Sequence, residues 1–162
     1  MNRTVLALFA LAAMSACTLE ERTDRAVPVV ESTRRQIIQP EGVARLPIFS
    51  SAVRSGDFIF LSGALGALPG VSPPQLIAGG IGPETRQTMD NIIAVLAAAD
   101  ATLDDLIKCT VFLADIADYA AMNAVYAEYF PSNPPARSAL AGSGLALGAL
   151  VEIECIAAVP EG

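Results

Sequence analysis

Arg137 lies in a run of small and apolar residues, Pro134-Pro135-Ala136-Arg137-Ser138-Ala139-Leu140. A guanidinium keeps its charge in any protein setting and must find an anion. Glu152 and Glu154 alternate with Val151, Ile153 and Cys155, and the two-residue period of a strand sends both carboxylates to one face. Asn123 stands mid-helix, where asparagine is a mediocre former, and Ser62 closes an apolar run beside Gly63. Such a set can grip a substrate carboxylate through two parallel hydrogen bonds from Arg137 and use a glutamate to position or deprotonate a water. The same residues also read as an ion pair that only holds structure, with Asn123 on the surface.

Composition narrows the chemistry further. The chain has 162 residues, 17 acidic and 10 basic, for a net charge of −7, and it contains no histidine. Ser-His-Asp and Cys-His nucleophile systems and His-ligated metals are therefore excluded. An acidic chain whose only lysine is Lys108 lacks the clustered cations that phosphate backbones require, so no nucleic-acid partner is expected. A hydrophobic fraction of 53% suits one domain with a sizeable core.

The elements that must position these residues follow from periodicity. Residues 48–62 hold two short apolar runs around Arg54-Ser55-Gly56-Asp57, the pattern of a β-hairpin. Residues 63–82 are rich in glycine and proline and read as a long irregular loop, a common place for function. Met89, Ile92, Ile93 and Leu96 recur at helical spacing, and Pro83 suits a first helical position, so a helix is expected over Pro83–Ala99. Leu106–Ala114 reads as a central strand. Asp115 or Asp118 can cap a second helix whose stripe of Tyr119, Met122, Tyr126 and Tyr129 is read as core. Ala136–Gly142 and Leu150–Val159 supply two further strands. The order β-β-α-β-α-β-β favours an α+β sheet with helices on one face, and the uncovered face predicts oligomerisation.

The N-terminal segment reads as an address. Arg3 precedes an apolar run from Val5 to Ala13 that is too short to span a bilayer, for which about 20 residues are needed, and that fits the h-region of a signal peptide. Met14-Ser15-Ala16-Cys17 resembles a bacterial lipobox, which makes residues 1–16 a leader and Cys17 an acylated N-terminus; an ordinary secretory signal is the alternative. Residues 17–45 carry charges of both signs and read as a flexible tether, leaving 46–162 as the domain. A weak strand near Val27–Val30 is opposed by Pro28. The expected location is the bacterial cell envelope, as a periplasm-facing lipoprotein or a soluble periplasmic protein. Cys109 and Cys155 have no C-x-x-C spacing and read as two buried thiols, with a disulfide conceivable in an oxidising compartment.

From about Arg45 to Pro160 the chain resembles the Rid family, the YjgF or reactive intermediate deaminase proteins. The resemblance rests on Ser50-Ser51-Ala52-Val53, Gly56-Asp57-Phe58-Ile59-Phe60-Leu61-Ser62-Gly63, Gly79-Gly80-Ile81 and Thr85-Arg86-Gln87-Thr88-Met89-Asp90-Asn91-Ile92. It continues through Val111-Phe112-Leu113-Ala114-Asp115, Tyr119-Ala120-Ala121-Met122-Asn123-Ala124-Val125-Tyr126, Pro135-Ala136-Arg137-Ser138 and Val151-Glu152-Ile153-Glu154-Cys155-Ile156-Ala157.

That resemblance implies a chorismate-mutase-like mixed sheet with two helices on one face, a homotrimer, and hydrolysis of enamines and imines such as 2-aminoacrylate to 2-keto acids and ammonia. It places the carboxylate-gripping arginine on Arg137, the water-holding glutamate on Glu152, and the pocket serine and asparagine on Ser62 and Asn123. The family's usual pocket tyrosine is Phe49 here, the glutamine after it is Ser51, the cysteine two places beyond the arginine is Ala139, and the glutamine after Ser-Gly is Ala64. Two charges stay and several polar groups go, which implies altered substrate preference or a lower rate. A protonated imine carbon is already electrophilic, so no metal or cofactor is expected, and the lipid at Cys17 is the only expected membrane contact. Alternatives are a non-catalytic trimer that binds small carboxylates, the ribonuclease role attached to some relatives, and a chaperone-like envelope protein.

Overall fold

The computed structural model describes residues 35–41, 43 and 47–160. The expected leader over 1–16, Cys17, the Val27–Val30 segment and most of the 17–45 tether lie outside them. Alternating apolar residues form the expected hairpin, β2 (Ala52–Ser55) and β3 (Phe58–Leu61), around Gly56. Its outer edge is taken by β1 (Gln36–Ile38). Residues 36–38, which composition assigns to a tether, form a strand here because Ile38 buries against the core.

The loop after β3 carries a short strand, β4 (Ala64–Leu65), and an isolated bridge between Ala67 and Leu76, so it is more ordered than its glycines and prolines suggest. Helix α1 spans Ile81–Ala97. It starts two residues before the expected Pro83, since the first turn leaves its N–H groups unpaired and tolerates a proline there. The central strand β5 (Leu106–Leu113), helix α2 (Tyr119–Tyr126), β6 (Ala136–Ala141) and β7 (Val151–Ala158) follow. Asp115 accepts the Ala117 N–H at 2.9 Å and caps the short 3₁₀ turn that leads into α2, whereas Asp118 makes no cap bond.

The sheet order is β1-β2-β3-β7-β5-β6, with β4 also on β7. β5 and β6 run parallel and every other pair is antiparallel. This is the expected mixed α+β sheet with two helices. Cys109, Val111 and Leu113 of β5 and Val151, Ile153, Cys155 and Ala157 of β7 all bury on one face, in one core with Met89, Ile92 and Leu96 of α1 and Met122 and Tyr126 of α2. On the opposite face Phe58, Phe60 and Leu140 are each close to half exposed.

Cys109 and Cys155 are not free thiols but a disulfide. Sequence spacing hides the pairing, whereas the β5–β7 register sets the two residues directly opposite each other on the buried face, with α-carbons 4.1 Å apart. The bond spans 46 residues of chain, and closing such a loop in the unfolded state contributes up to about 4 kcal/mol. The Cys109→Ala/Cys155→Ala double variant is expected to melt lower by on the order of 10 °C. Non-reducing peptide mapping of the parent protein should recover the two cysteine peptides joined.

Candidate active site

Arg137 is the second residue of β6, level with Cys109 in the parallel register. In-register neighbours share a face, so its side chain rises on the helix side at the sheet's edge. There it meets α2. The guanidinium carbon lies 4.7 Å from the Tyr126 ring centroid and 5.8 Å from that of Tyr119, within cation–π range. Arg137 Nη2 donates to the Tyr119 hydroxyl at 3.3 Å. Among the described residues it forms no salt bridge; the one such pair is Arg86–Glu128, at 2.8 Å.

The groups around it are perturbed by its charge and by burial. The Asn123 amide and, next, the Arg137 charge hold the Tyr119 phenol below its ordinary range. Burial pushes the Tyr126 hydroxyl up to about 12, with Arg137 pulling the other way. Asn123 Oδ1 and the Tyr126 hydroxyl are buried without a hydrogen-bond partner among the described residues, which costs free energy unless something else binds them. Ala139, the next residue of β6 on this face, packs against the core.

Glu152 stands elsewhere. β3 and β4 both pair with β7, and Ser62-Gly63 bridges the gap between them. Glu152 fills that gap, with its carboxylate against the Gly63 α-carbon where any Cβ would collide. Burial, and after it the neighbouring Glu154, raise the Glu152 pKa above its ordinary value. Ser62 Oγ donates to the Ser50 carbonyl at 2.7 Å and its N–H to the Ser51 carbonyl at 3.0 Å, which fastens the segment carrying Phe49. Phe49 itself is half exposed. Glu84, buried in α1, accepts the Leu150 N–H at 2.7 Å and the Val151 N–H at 3.3 Å and so fixes the start of the strand that bears Glu152.

The structure therefore divides the site residues into two sets. Arg137, Asn123 and Ala139 are on the helix side of β6; Glu152, Ser62 and Phe49 gather around Gly63. Glu152 pairs with Phe112 and points away from the core face. Two strand spacings separate β6 from β7 and three residues of register separate the levels of Arg137 and Glu152, so their α-carbons are offset by about 10 Å across and about 10 Å along the sheet. Within one chain they do not form the ion pair that the sequence also allowed. Both glutamates do share one face, as the period of two requires.

Two residues escaped the sequence reading. Tyr119 belongs to a helical stripe read as core, and Met122 and Tyr126 of that stripe are buried; Tyr119 is 40% exposed and faces Arg137. Glu84 falls four residues before buried Thr88 in the apolar face of α1, a spacing that marks a carboxylate needing a buried partner. Beside Ser62 and Gly63 a cavity of about 410 Å³ opens between the 67–74 loop and α1. Among the described residues no group of three or more His, Cys, Asp and Glu side chains could hold a metal ion.

Comparison with known proteins identifies the family. The profile of the family described as Endoribonuclease L-PSP matches residues 42–159. The 2-iminobutanoate/2-iminopropanoate deaminase of Capra hircus is 41% identical over 124 residues, covering 76% of this chain and 89% of the relative. The crystal structure of the yeast protein YEO7 superposes with a TM-score of 0.73 at 37% identity, over 78% of this chain and 99% of the other. The structure of E. coli TdcF with bound serine superposes with a TM-score of 0.69 at 28% identity, over 76% and 98%. With the profile spanning most of the chain, a relative 41% identical over most of its length and the fold shared with solved structures, this chain belongs to the Rid family, the YjgF or L-PSP proteins.

Proposed function

We propose that the protein hydrolyses reactive imines of 2-amino acids to 2-keto acids and ammonia, in sites that two copies of the chain complete together. The observation that carries this reading is Arg137, a fixed cation stacked on tyrosine with no carboxylate partner among the described residues. A ligand carboxylate is the anion that answers it, through two parallel hydrogen bonds. The deaminase name of a 41% identical relative and the serine bound to the E. coli relative support the same ligand class.

The chemistry needs few parts. A protonated imine carbon is electrophilic, and a water held by Glu152 attacks it as the carboxylate takes the water's proton. The carbinolamine so formed receives that proton on nitrogen and expels ammonia, while the freed Glu152 carboxylate takes the proton of the new hydroxyl, leaving the keto acid. Orientation by Arg137 and the preorganised carboxylate contribute several kcal/mol to the barrier, by order of magnitude. Because Arg137 and Glu152 lie on opposite sides of one sheet, the reading requires Arg137 of one protomer beside Glu152 of another. The apolar face bearing Phe58, Phe60 and Leu140 supports burial against further copies, as in the expected homotrimer. Acylation at Cys17 belongs to the same proposal as the membrane tether, and the disulfide supports an oxidising compartment.

Arg137→Ala is expected to lower kcat/KM for 2-aminoacrylate-type imines by about 10²-fold, and Glu152→Gln to lower kcat by about 10²- to 10⁴-fold. The raised Glu152 pKa means that ionising it in the folded chain costs stability. That cost is absent below the ordinary carboxylate pKa and complete above the raised one, so Glu152→Gln should not melt lower at neutral pH. When the two inactive proteins are unfolded together and reassembled in equal amounts, about one site in four should pair an intact Arg137 with an intact Glu152, and about a quarter of the activity should return. No recovery would remove the shared site; no acceleration of imine hydrolysis by the parent protein would remove the deaminase.

The acidic limb of the pH–rate profile should lie above the ordinary carboxylate range, because Glu152 must lose its proton to act as base. Glu154→Gln removes the like charge that raises Glu152, so the limb should move to lower pH. A limb that stays put would show that Glu152 is not the titrating base.

A further inference from the structure

We propose that the cavity beside Ser62 and Gly63 receives the side chain of the imino acid, and that this side chain is bulky and apolar, of the kind leucine or phenylalanine carries. The proposal rests on the deaminase reading above and adds a substrate class to it.

The cavity adjoins the reacting centre. Gly63 forms part of its wall and is also the residue against which the Glu152 carboxylate rests. Glu152 does not itself line the cavity; Gly63 is the residue the two share, so the substituent of an imine carbon attacked by water on Glu152 is placed on the cavity side of Gly63. The space beyond, about 410 Å³, falls in the range of about 300–1,000 Å³ that holds whole drug-sized ligands. The methylene of 2-aminoacrylate would leave nearly all of it to water.

The lining decides what enters. No charged side chain borders the cavity, and its walls include Phe49, Leu65, Leu68, Val95 and Leu147. Three of its four polar side chains are already engaged. Asn91 donates to the Leu65 and Ala67 carbonyls, both at 2.8 Å, Ser62 to the Ser50 carbonyl, and Ser51 to Gln39 at 3.1 Å. The fourth, Ser72, is exposed on the outer loop. A polar substituent would leave water and find few free partners, whereas an apolar one gains burial. Phe49 reinforces this, because the wall position where the resembled family keeps a phenol has no hydroxyl here.

The test uses imines generated in the assay by an amino-acid oxidase acting on alanine, leucine and phenylalanine, with ammonia release read against the uncatalysed rate. The kcat/KM for the leucine- or phenylalanine-derived imine should exceed that for the alanine-derived imine by about tenfold or more. Leu68→Trp and Val71→Trp, both in the loop and outside the buried core, should each shift that ratio by about tenfold toward the small substrate. A ratio at or below one in the parent protein, or one that folded variants leave unmoved, overturns the proposal while the deaminase stands. If no imine is accelerated, titration with 4-methyl-2-oxopentanoate and with pyruvate still decides it. At least tenfold tighter binding of the branched acid keeps the assignment, and equal binding removes it.

Discussion

The pleat of a β-sheet sends adjacent residues to opposite sides, and this chain places its cation on one side and its acid on the other. Arg137 shares a level and a face with Cys109, turned toward the helices, whereas Glu152 shares its face with Phe112, turned away from them. No rotamer change brings the two together through a sheet. On the proposed reading each face carries part of an apparatus: Arg137 and its neighbours to hold an anion, Glu152 and its neighbours to hold a water. A fold whose functional groups diverge in this way makes sense when its neighbours supply what it lacks, and the apolar surface of the open sheet face is consistent with such neighbours.

Each partial apparatus has its own support. Arg137 is aimed by the rings of Tyr119 and Tyr126, which stack near it without neutralising it. Glu152 is aimed by main-chain features: a break between β3 and β4, a residue without a side chain at that break, and Glu84 holding the first amides of β7. Aromatic packing against the cation gives it no carboxylate partner among the described residues. Confinement of the acid, and after it the neighbouring Glu154, raise its proton affinity above that of an ordinary carboxylate.

Much of this fold was legible in the residues. The hairpin around Gly56, the apolar central strand, the alternating Val151–Ala158 segment and both helical stripes follow periodicity, because burial on one face imposes it. What stayed hidden depends on register. No spacing rule shows that Cys109 and Cys155 oppose each other across two strands 46 residues apart, nor that Ile37 and Ile38 extend the sheet beyond a polar segment. The site was legible as a set of residue types, and Arg137, Glu152, Ser62, Asn123, Phe49 and Ala139 all fall within the two clusters. Their division between faces was already contained in the period of two, but only the strand order reveals which period governs which residue. Tyr119 was missed because helical spacing cannot distinguish the buried edge of a stripe from its exposed one.

The cross-link between β5 and β7 bears on how these two clusters move. Cys109 of β5 neighbours Arg137 of β6, and Cys155 lies three residues from Glu152 on its own strand. A covalent tie at that level joins the strand next to the cation to the strand that carries the acid. Such a tie restrains the two strands, and with them the two clusters, from sliding past each other within the chain. If copies share a site as proposed, play in the distance between cation and acid must come from rocking at the seams between copies, and alignment of that site becomes a property of those joints rather than of the individual subunit.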